Sequence, residues 1–72
     1  AKSRFQELAQ EKTGITPSYQ VLKEWGPDHE KNFQVGVTLG KDLIAKGQGM
    51  SKQEAEQDAA KAALIKQENI WN

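Results

Sequence analysis

The sequence predicts an α+β domain with the chain order α-β-β-β-α, in which a three-stranded antiparallel sheet carries two helices packed on one face. Three observations predict it: an amphipathic N-terminal stretch, three consecutive stretches of strand character joined by short polar connections, and an alanine-rich stretch near the C-terminus. Strands joined this closely pair antiparallel, and one face of such a sheet must be covered. The 72 residues make one small domain, 1–72, with an ordered core over about 2–67 and a tail, 68–72, that is expected to fray.

The first element is predicted to be a helix from Ser3 to Lys12, with its first residue as the N-cap. The residues that recur at helical spacing and share one face are Phe5, Leu8, Ala9 and Lys12. Gly14 is expected to end the helix, because glycine readily adopts the backbone conformation that follows a helix C-terminus.

Three strands are expected next, over 19–25, 33–39 and 42–47. The second has the clearest alternation of apolar and polar residues, and the third is expected to place Leu43, Ala45 and Gly47 on one face. The strands are joined by the polar segment "GPDHEKN" and by a tight turn at Gly40-Lys41. Trp25, at the end of the first strand, is expected to lie partly in the core.

A second helix is predicted to begin at the capping box formed by Ser51 and Glu54. Its apolar stripe consists of small residues only, which allows the helix to lie close on the sheet. These residues are Ala55, Ala59, Ala62 and Ala63.

Composition excludes several classes of function. One histidine, no cysteine and no serine beside a base leave no nucleophile–base pair, so no catalytic residue is expected in this chain. Glu54, Glu56 and Asp58 are spaced two apart, which spreads them around a helix, so neither a metal nor another cofactor is expected. The absence of cysteine and of a long apolar run predicts a cytoplasmic protein without a membrane partner. Ten basic and ten acidic residues cancel, which is not the usual charge balance of a nucleic-acid binder.

Three segments in their order nevertheless resemble one family. The first-helix string "FQELAQE", the loop "GPDH" and the junction "GQGMSKQEAEQDAAKAAL" are together similar to a double-stranded RNA-binding domain, over Lys2 to about Lys66. The likeness is greatest to the C-terminal domain of bacterial ribonuclease III. It implies that the nuclease chemistry and its magnesium ions belong to a separate N-terminal domain, that the isolated domain is a monomer and that the parent enzyme is a homodimer.

The resemblance also implies which residues contact RNA. A-form duplexes expose 2′-hydroxyls in a wide minor groove, and such domains span about 16 base pairs. The first helix would face one minor groove, the loop the next, and the start of the second helix the phosphates between them. The residues implied are Ser3, Gln6, Glu7 and Gln10 in the first region, Pro27, Asp28 and His29 in the second, and Ser51, Lys52 and Gln53 in the third.

Simpler interpretations of each region remain open. A surface helix has polar residues in any case, a histidine in a polar loop is often only solvated, and Ser51 caps its helix whatever else it does. Gln53 stands where the family usually has a second basic residue, and the carboxylates that follow dilute the positive charge. We therefore expect micromolar or weaker affinity for the isolated domain. The alternative hypothesis is a module of the same fold that binds a protein partner or a second copy and has little affinity for RNA.

Overall fold

The computed structural model describes residues 2–71 and confirms the α-β-β-β-α order. Its elements are α1 (Lys2–Thr13), β1 (Ser18–Trp25), a 3₁₀ turn (Asp28–Glu30), β2 (Asn32–Leu39), β3 (Asp42–Gly49) and α2 (Lys52–Trp71). The sheet is antiparallel with β2 in the centre. Both helices pack on one face of it.

Helix α1 begins one residue earlier than the sequence suggested, and this changes the role of Ser3. Ser3 lies inside the helix and so is not its N-cap. The first residue of the helix has a tertiary contact that no local pattern indicates: the Lys2 ammonium lies 2.6 Å from a carboxylate oxygen of Glu56 on α2. The C-terminal prediction is confirmed: Gly14 has a φ of 74°, and its N–H donates to the Gln10 carbonyl at 3.0 Å.

Two β-bulges change which residues share a face. On β3, Val37 pairs with Ala45 but Thr38 pairs with Leu43, so one residue of β3 is left over between the two pairs. Ala45 and Gly47 face the helices as predicted, whereas Leu43 lies on the opposite, open face, so its predicted placement was wrong. The bulge shifts the alternation by one residue, which a pattern of period two does not reveal.

The bulge on β1 lies between Val21 and Lys23 and has the same effect. Beyond it, Trp25 pairs with Asn32 and lies on the open face of the sheet, not in the core. The core between the sheet and the helices is built around Phe5 and the β2 valines, with Ala9 and a stripe of α2 alanines fully buried.

Helix α2 lies almost directly on β3. A Cβ atom built at Gly47 would lie 2.0 Å from the backbone nitrogen of Ala59, so only glycine fits at this position of the strand. The buried stripe contains Ala60 and not Ala62, which is only half-buried. The helix continues through Trp71, over most of the segment expected to fray; Asn72 lies outside the described residues.

The β2–β3 hairpin has the predicted two-residue turn. Leu39 pairs with Asp42, and Gly40 has a φ of 62°. This turn marks the end of the sheet opposite to the β1–β2 loop. Among residues 2–71, no helix combines the length and apolar character needed to cross a bilayer.

Candidate nucleic-acid interface

The predicted residues of α1 form one exposed surface. Ser3, Gln6, Glu7 and Gln10 recur at helical spacing and line a single shallow depression of about 220 Å³. The Gln10 amide donates to the Thr16 hydroxyl at 3.1 Å, which ties the end of this surface to the segment after the helix. The surface presents amide, hydroxyl and carboxylate groups that donate or accept hydrogen bonds.

The β1–β2 loop has a shape fixed by its own hydrogen bonds. The Glu30 N–H donates to the Pro27 carbonyl at 2.9 Å, and the Asn32 side-chain amide donates to the Glu30 carbonyl at 3.2 Å. Pro27, Asp28 and His29 are all exposed at the tip, and within residues 2–71 the His29 ring has no hydrogen-bond partner. The loop therefore presents its tip to solvent without needing to be reordered.

The start of α2 is capped much as predicted. The Glu54 N–H donates to the Ser51 hydroxyl oxygen at 3.1 Å, and the Glu54 carboxylate accepts from the N–H of Met50 at 3.0 Å, one residue before the cap. Within the described residues, the backbone N–H groups of Lys52 and Gln53 have no acceptor, and both side chains are exposed. Free N–H groups at a helix N-terminus, beside a lysine, favour an anion.

The carboxylates of α2 have structural partners that the sequence did not reveal. Asp58 accepts from the Gln48 N–H at 2.9 Å and ties α2 to β3. Glu56 pairs with Lys2, whose ammonium also lies 5.2 Å from the centre of the Tyr19 ring. Burial, and secondly the Glu56 charge, raise the pKa of the Tyr19 hydroxyl above its usual value. Since Lys2 and Glu56 are far apart in the chain, no local pattern could have indicated this contact.

The fold brings the start of α2 beside each of the other two predicted regions. Trp25 pairs with Asn32, and Phe33 pairs with Gly49, so the β1–β2 loop and the start of α2 lie at the same end of the sheet. The contact between Lys2 and Glu56 places the start of α1 beside the first turns of α2. The end of α1 lies elsewhere, because Gln10 donates to Thr16 just before β1, toward the hairpin end of the sheet. Within residues 2–71, no group of three or more side chains could hold a metal ion.

The chain is similar in sequence to known proteins. The family model of the double-stranded RNA binding motif matches residues 1–67. Ribonuclease 3 of Borreliella burgdorferi is 51% identical over 69 residues, which is 96% of this chain and 28% of that protein. The chain spans little more than a quarter of the length of the curated relatives that it matches.

Solved structures show the same fold. The structure of Arabidopsis HYL1 superposes with a TM-score of 0.74 and 37% identity, covering 89% of this chain and 90% of that one. Dicer from Pichia stipitis superposes with a TM-score of 0.72 and 28% identity, covering 89% of this chain and 31% of that chain. With the family model matched over nearly the whole sequence, the chain belongs to the double-stranded RNA binding motif family.

Proposed function

We propose that this domain binds double-stranded RNA by its shape, with α1 in one minor groove, the β1–β2 loop in the next, and the start of α2 on the phosphates between them. The observation that carries the proposal is the position of the start of α2, which shares one end of the sheet with the loop and lies beside the start of α1. Two contacts with minor grooves separated by a phosphate contact match an A-form duplex, whose major groove is too narrow for side chains.

The chemistry of each region suits its place. Gln6 both donates and accepts, and Glu7 accepts from a 2′-hydroxyl, a group that DNA lacks. The loop is stiffened by Pro27 and by its own hydrogen bonds, so little conformational entropy is lost on docking. Lys52 and the free N–H groups beside it would bind a phosphate oxygen.

We further propose that the domain holds substrate for a ribonuclease III. The ribonuclease 3 relatives, 46–51% identical, support this assignment. The parent enzyme would carry out the cleavage with its magnesium ions, and it would be a homodimer located in the cytoplasm. Two copies in such a dimer would compensate for a modest affinity of the single domain through effective concentration.

The alternative, a protein-binding module of the same fold, is favoured by the zero net charge and by Gln53. The most direct way to join two copies is pairing of sheet edges, and the β3 edge is partly occupied. The Asp58 carboxylate accepts from the Gln48 N–H at 2.9 Å, and the Lys66 ammonium donates to the Ile44 carbonyl at 3.1 Å. Side chains from α2 thus use groups that a further strand would need.

A titration with an RNA duplex of about 20 base pairs, the same sequence as DNA, and single-stranded RNA tests the proposal. We expect the RNA duplex to bind most tightly, with micromolar or weaker affinity. Equal affinity for all three, or no binding of the duplex at millimolar concentration, would contradict duplex recognition.

Lys52→Ala tests the phosphate contact. It should weaken binding of the RNA duplex and make the slope of log affinity against log salt shallower by about one, because one phosphate contact is lost. Lys41→Ala is the matched control, since it removes the same charge from the hairpin turn at the opposite end of the sheet. Equal effects of the two substitutions would show that the contact is misplaced.

A further inference from the structure

The face of the sheet that points away from the helices is a second surface with its own composition. Directly opposed residues of neighbouring strands share a face, and the alternate β2 residues from Phe33 to Leu39 face the helices and contribute to the core. The open face therefore carries the remaining β2 positions and their partners. These residues are Ser18, Gln20, Lys23 and Trp25 on β1, Asn32, Gln34, Gly36 and Thr38 on β2, and Leu43, Lys46 and Gln48 on β3.

The charge on this face is of one sign. Among its described strand residues there are two lysines, Lys23 and Lys46, and no carboxylate. The acidic strand residues, Glu24 and Asp42, pair with Phe33 and Leu39 and so belong to the helix-facing side. In a chain with zero net charge, this separation makes the open face locally positive.

One end of the open face is a shallow depression of about 360 Å³. Its lining consists of Lys23, Trp25, Gln34 and Gln48. Trp25 is 37% exposed, and the Lys23 ammonium lies over its ring, 5.9 Å from the centre, so a base that stacks on this face of the ring would displace the ammonium. An accessible aromatic ring is thus surrounded by two amides and a cation.

We propose that this depression binds an unpaired nucleotide, with the base stacked on Trp25. Every nucleobase has a face that stacks on an aromatic ring, whatever its sequence. The amides of Gln34 and Gln48 both donate and accept hydrogen bonds, as the edges of an unpaired base require. Lys23 and Lys46 supply positive charge for the phosphates of the strand.

The position of the depression indicates where such a nucleotide would come from. Trp25 directly precedes the β1–β2 loop, and Gln48 precedes the last residue of β3, so the depression adjoins the end of the sheet where the candidate duplex surface lies. The depression and the candidate duplex surface nevertheless consist of different residues and lie on different faces of the domain. The nucleotide could come from a free single strand or from an unpaired position beside a duplex, and the chemistry of binding is the same for both.

The first experiment titrates the unmodified protein with oligouridine of about eight nucleotides, which forms no duplex with itself, and follows amide and indole signals by nuclear magnetic resonance. We expect the signals of the Trp25 indole N–H and of the Gln34 and Gln48 side-chain amides to shift. The backbone amide signals of α1 should not shift. No shift of the Trp25 indole at millimolar oligonucleotide would overturn the proposal. Shifts of the same signals on raising the protein concentration alone, without oligonucleotide, would assign the face to a second copy and overturn it as well.

The second experiment compares three variants. Trp25→Ala should weaken binding of oligouridine about fivefold to a hundredfold, as expected for one stacked base, whereas Trp25→Phe should retain most of it. Leu43→Ala is the matched control, because it removes an exposed apolar side chain from the same face outside the depression. Equal losses for Trp25→Ala and Leu43→Ala would overturn the assignment.

A blunt RNA duplex separates this inference from the proposed function. Trp25→Ala should leave the affinity of the protein for the blunt duplex unchanged. For a duplex with a single-stranded extension, the same substitution should remove only the extra affinity that the extension gives. If the blunt duplex fails to bind while oligouridine still shifts the Trp25 indole, the proposed function fails and the second site stands. If the blunt duplex binds but the Trp25 indole does not respond to oligouridine, the second site fails and the proposed function stands.

Discussion

Gly47→Ala tests the claim that α2 lies directly on β3. The new Cβ would lie 2.0 Å from the Ala59 nitrogen, 2.6 Å from the Ala59 Cα and 2.6 Å from the Ala55 carbonyl oxygen. These are backbone atoms, which no change of rotamer can move. Reaching an ordinary contact of 3.4 Å from the nitrogen requires a separation larger by 3.4 − 2.0 = 1.4 Å, so the helix must move off the strand by about that distance.

The cost follows from the packing that this movement disturbs. Overpacking a core costs about 1–3 kcal/mol where side chains can adjust. Here a helix carrying four fully buried alanines must move, so we expect at least about 3 kcal/mol, the upper end of that range. In a domain of this size each kcal/mol lowers Tm by about 4–8 °C, which predicts a fall of at least about 12 °C. Such small domains rarely have more than about 3–5 kcal/mol of stability, so the variant would be close to unfolding at 25 °C.

Thermal and urea unfolding followed by circular dichroism measure this effect, with Gly36→Ala as the control. Gly36 is also a strand glycine without a positive φ, but its Cβ would meet side-chain atoms: the Cδ1 atoms of Leu22 and Leu43, at 2.8 and 2.9 Å, and the Cγ atom of Leu22, at 3.3 Å. Both side chains are exposed and can rotate or shift away, so the control should cost less than about 1 kcal/mol. If Gly47→Ala were no more destabilising than Gly36→Ala, the close seating of α2 on β3 would be refuted.

The other predictions concern charge. Glu56→Gln should lower the pKa of Tyr19 in a spectrophotometric titration but leave it above its usual value, because burial is the larger cause of the shift. Since the folded-state pKa is raised, Tyr19 stabilises the fold below about pH 10 and loses this contribution as the pH rises further, which unfolding at pH 8 and 11 would measure. Gln53→Lys should tighten RNA-duplex binding several-fold and steepen its salt slope by about one. Asp58→Ala combined with Lys66→Ala should free the β3 edge and produce concentration-dependent association in analytical ultracentrifugation.

Matched controls separate these effects from a general change in charge. Lys61→Ala combined with Glu68→Ala makes the same charge change on α2 at two exposed residues that, within residues 2–71, form no hydrogen bond or ion pair with β3. If this pair associates as strongly as the edge variant, the edge is not the cause. A Tyr19 pKa that does not respond to Glu56→Gln would mean that burial alone sets it.

The sequence predicted the element order because each element carries a local signal. The C-terminal glycine of α1, the hairpin glycine at position 40 and the serine cap of α2 act within a few residues of chain, and all three have the predicted roles. The bulges were missed because the displaced residues, such as Leu43, are apolar and suit either face. The ion pair of Lys2 with Glu56 joins residues that are 54 positions apart in the chain, and only the packed fold brings them together.

The ten site residues came from a family resemblance and not from local physics, and the fold places the start of α2 beside the other two regions without testing any contact with RNA. Their grouping depends on the strand register at one end of the sheet and on the contact of α1 with α2. Trp25 was assigned to the core because duplex bases cannot stack on it. The bulge in β1 moves it to the open face, where that reasoning no longer applies.

The zero net charge argued against nucleic-acid binding, but net charge is a property of the whole chain, and binding depends on where the charges lie. Glu56 is paired with Lys2, and the carboxylates of Glu54 and Asp58 accept backbone N–H groups at the β3–α2 junction. These three carboxylates therefore hold the fold together and are partly compensated, while Lys52 lies exposed beside free N–H groups. Their remaining negative charge is close enough to weaken a phosphate contact at Lys52. This arrangement therefore predicts that log affinity depends only weakly on log salt concentration, while the preference for the RNA duplex is retained.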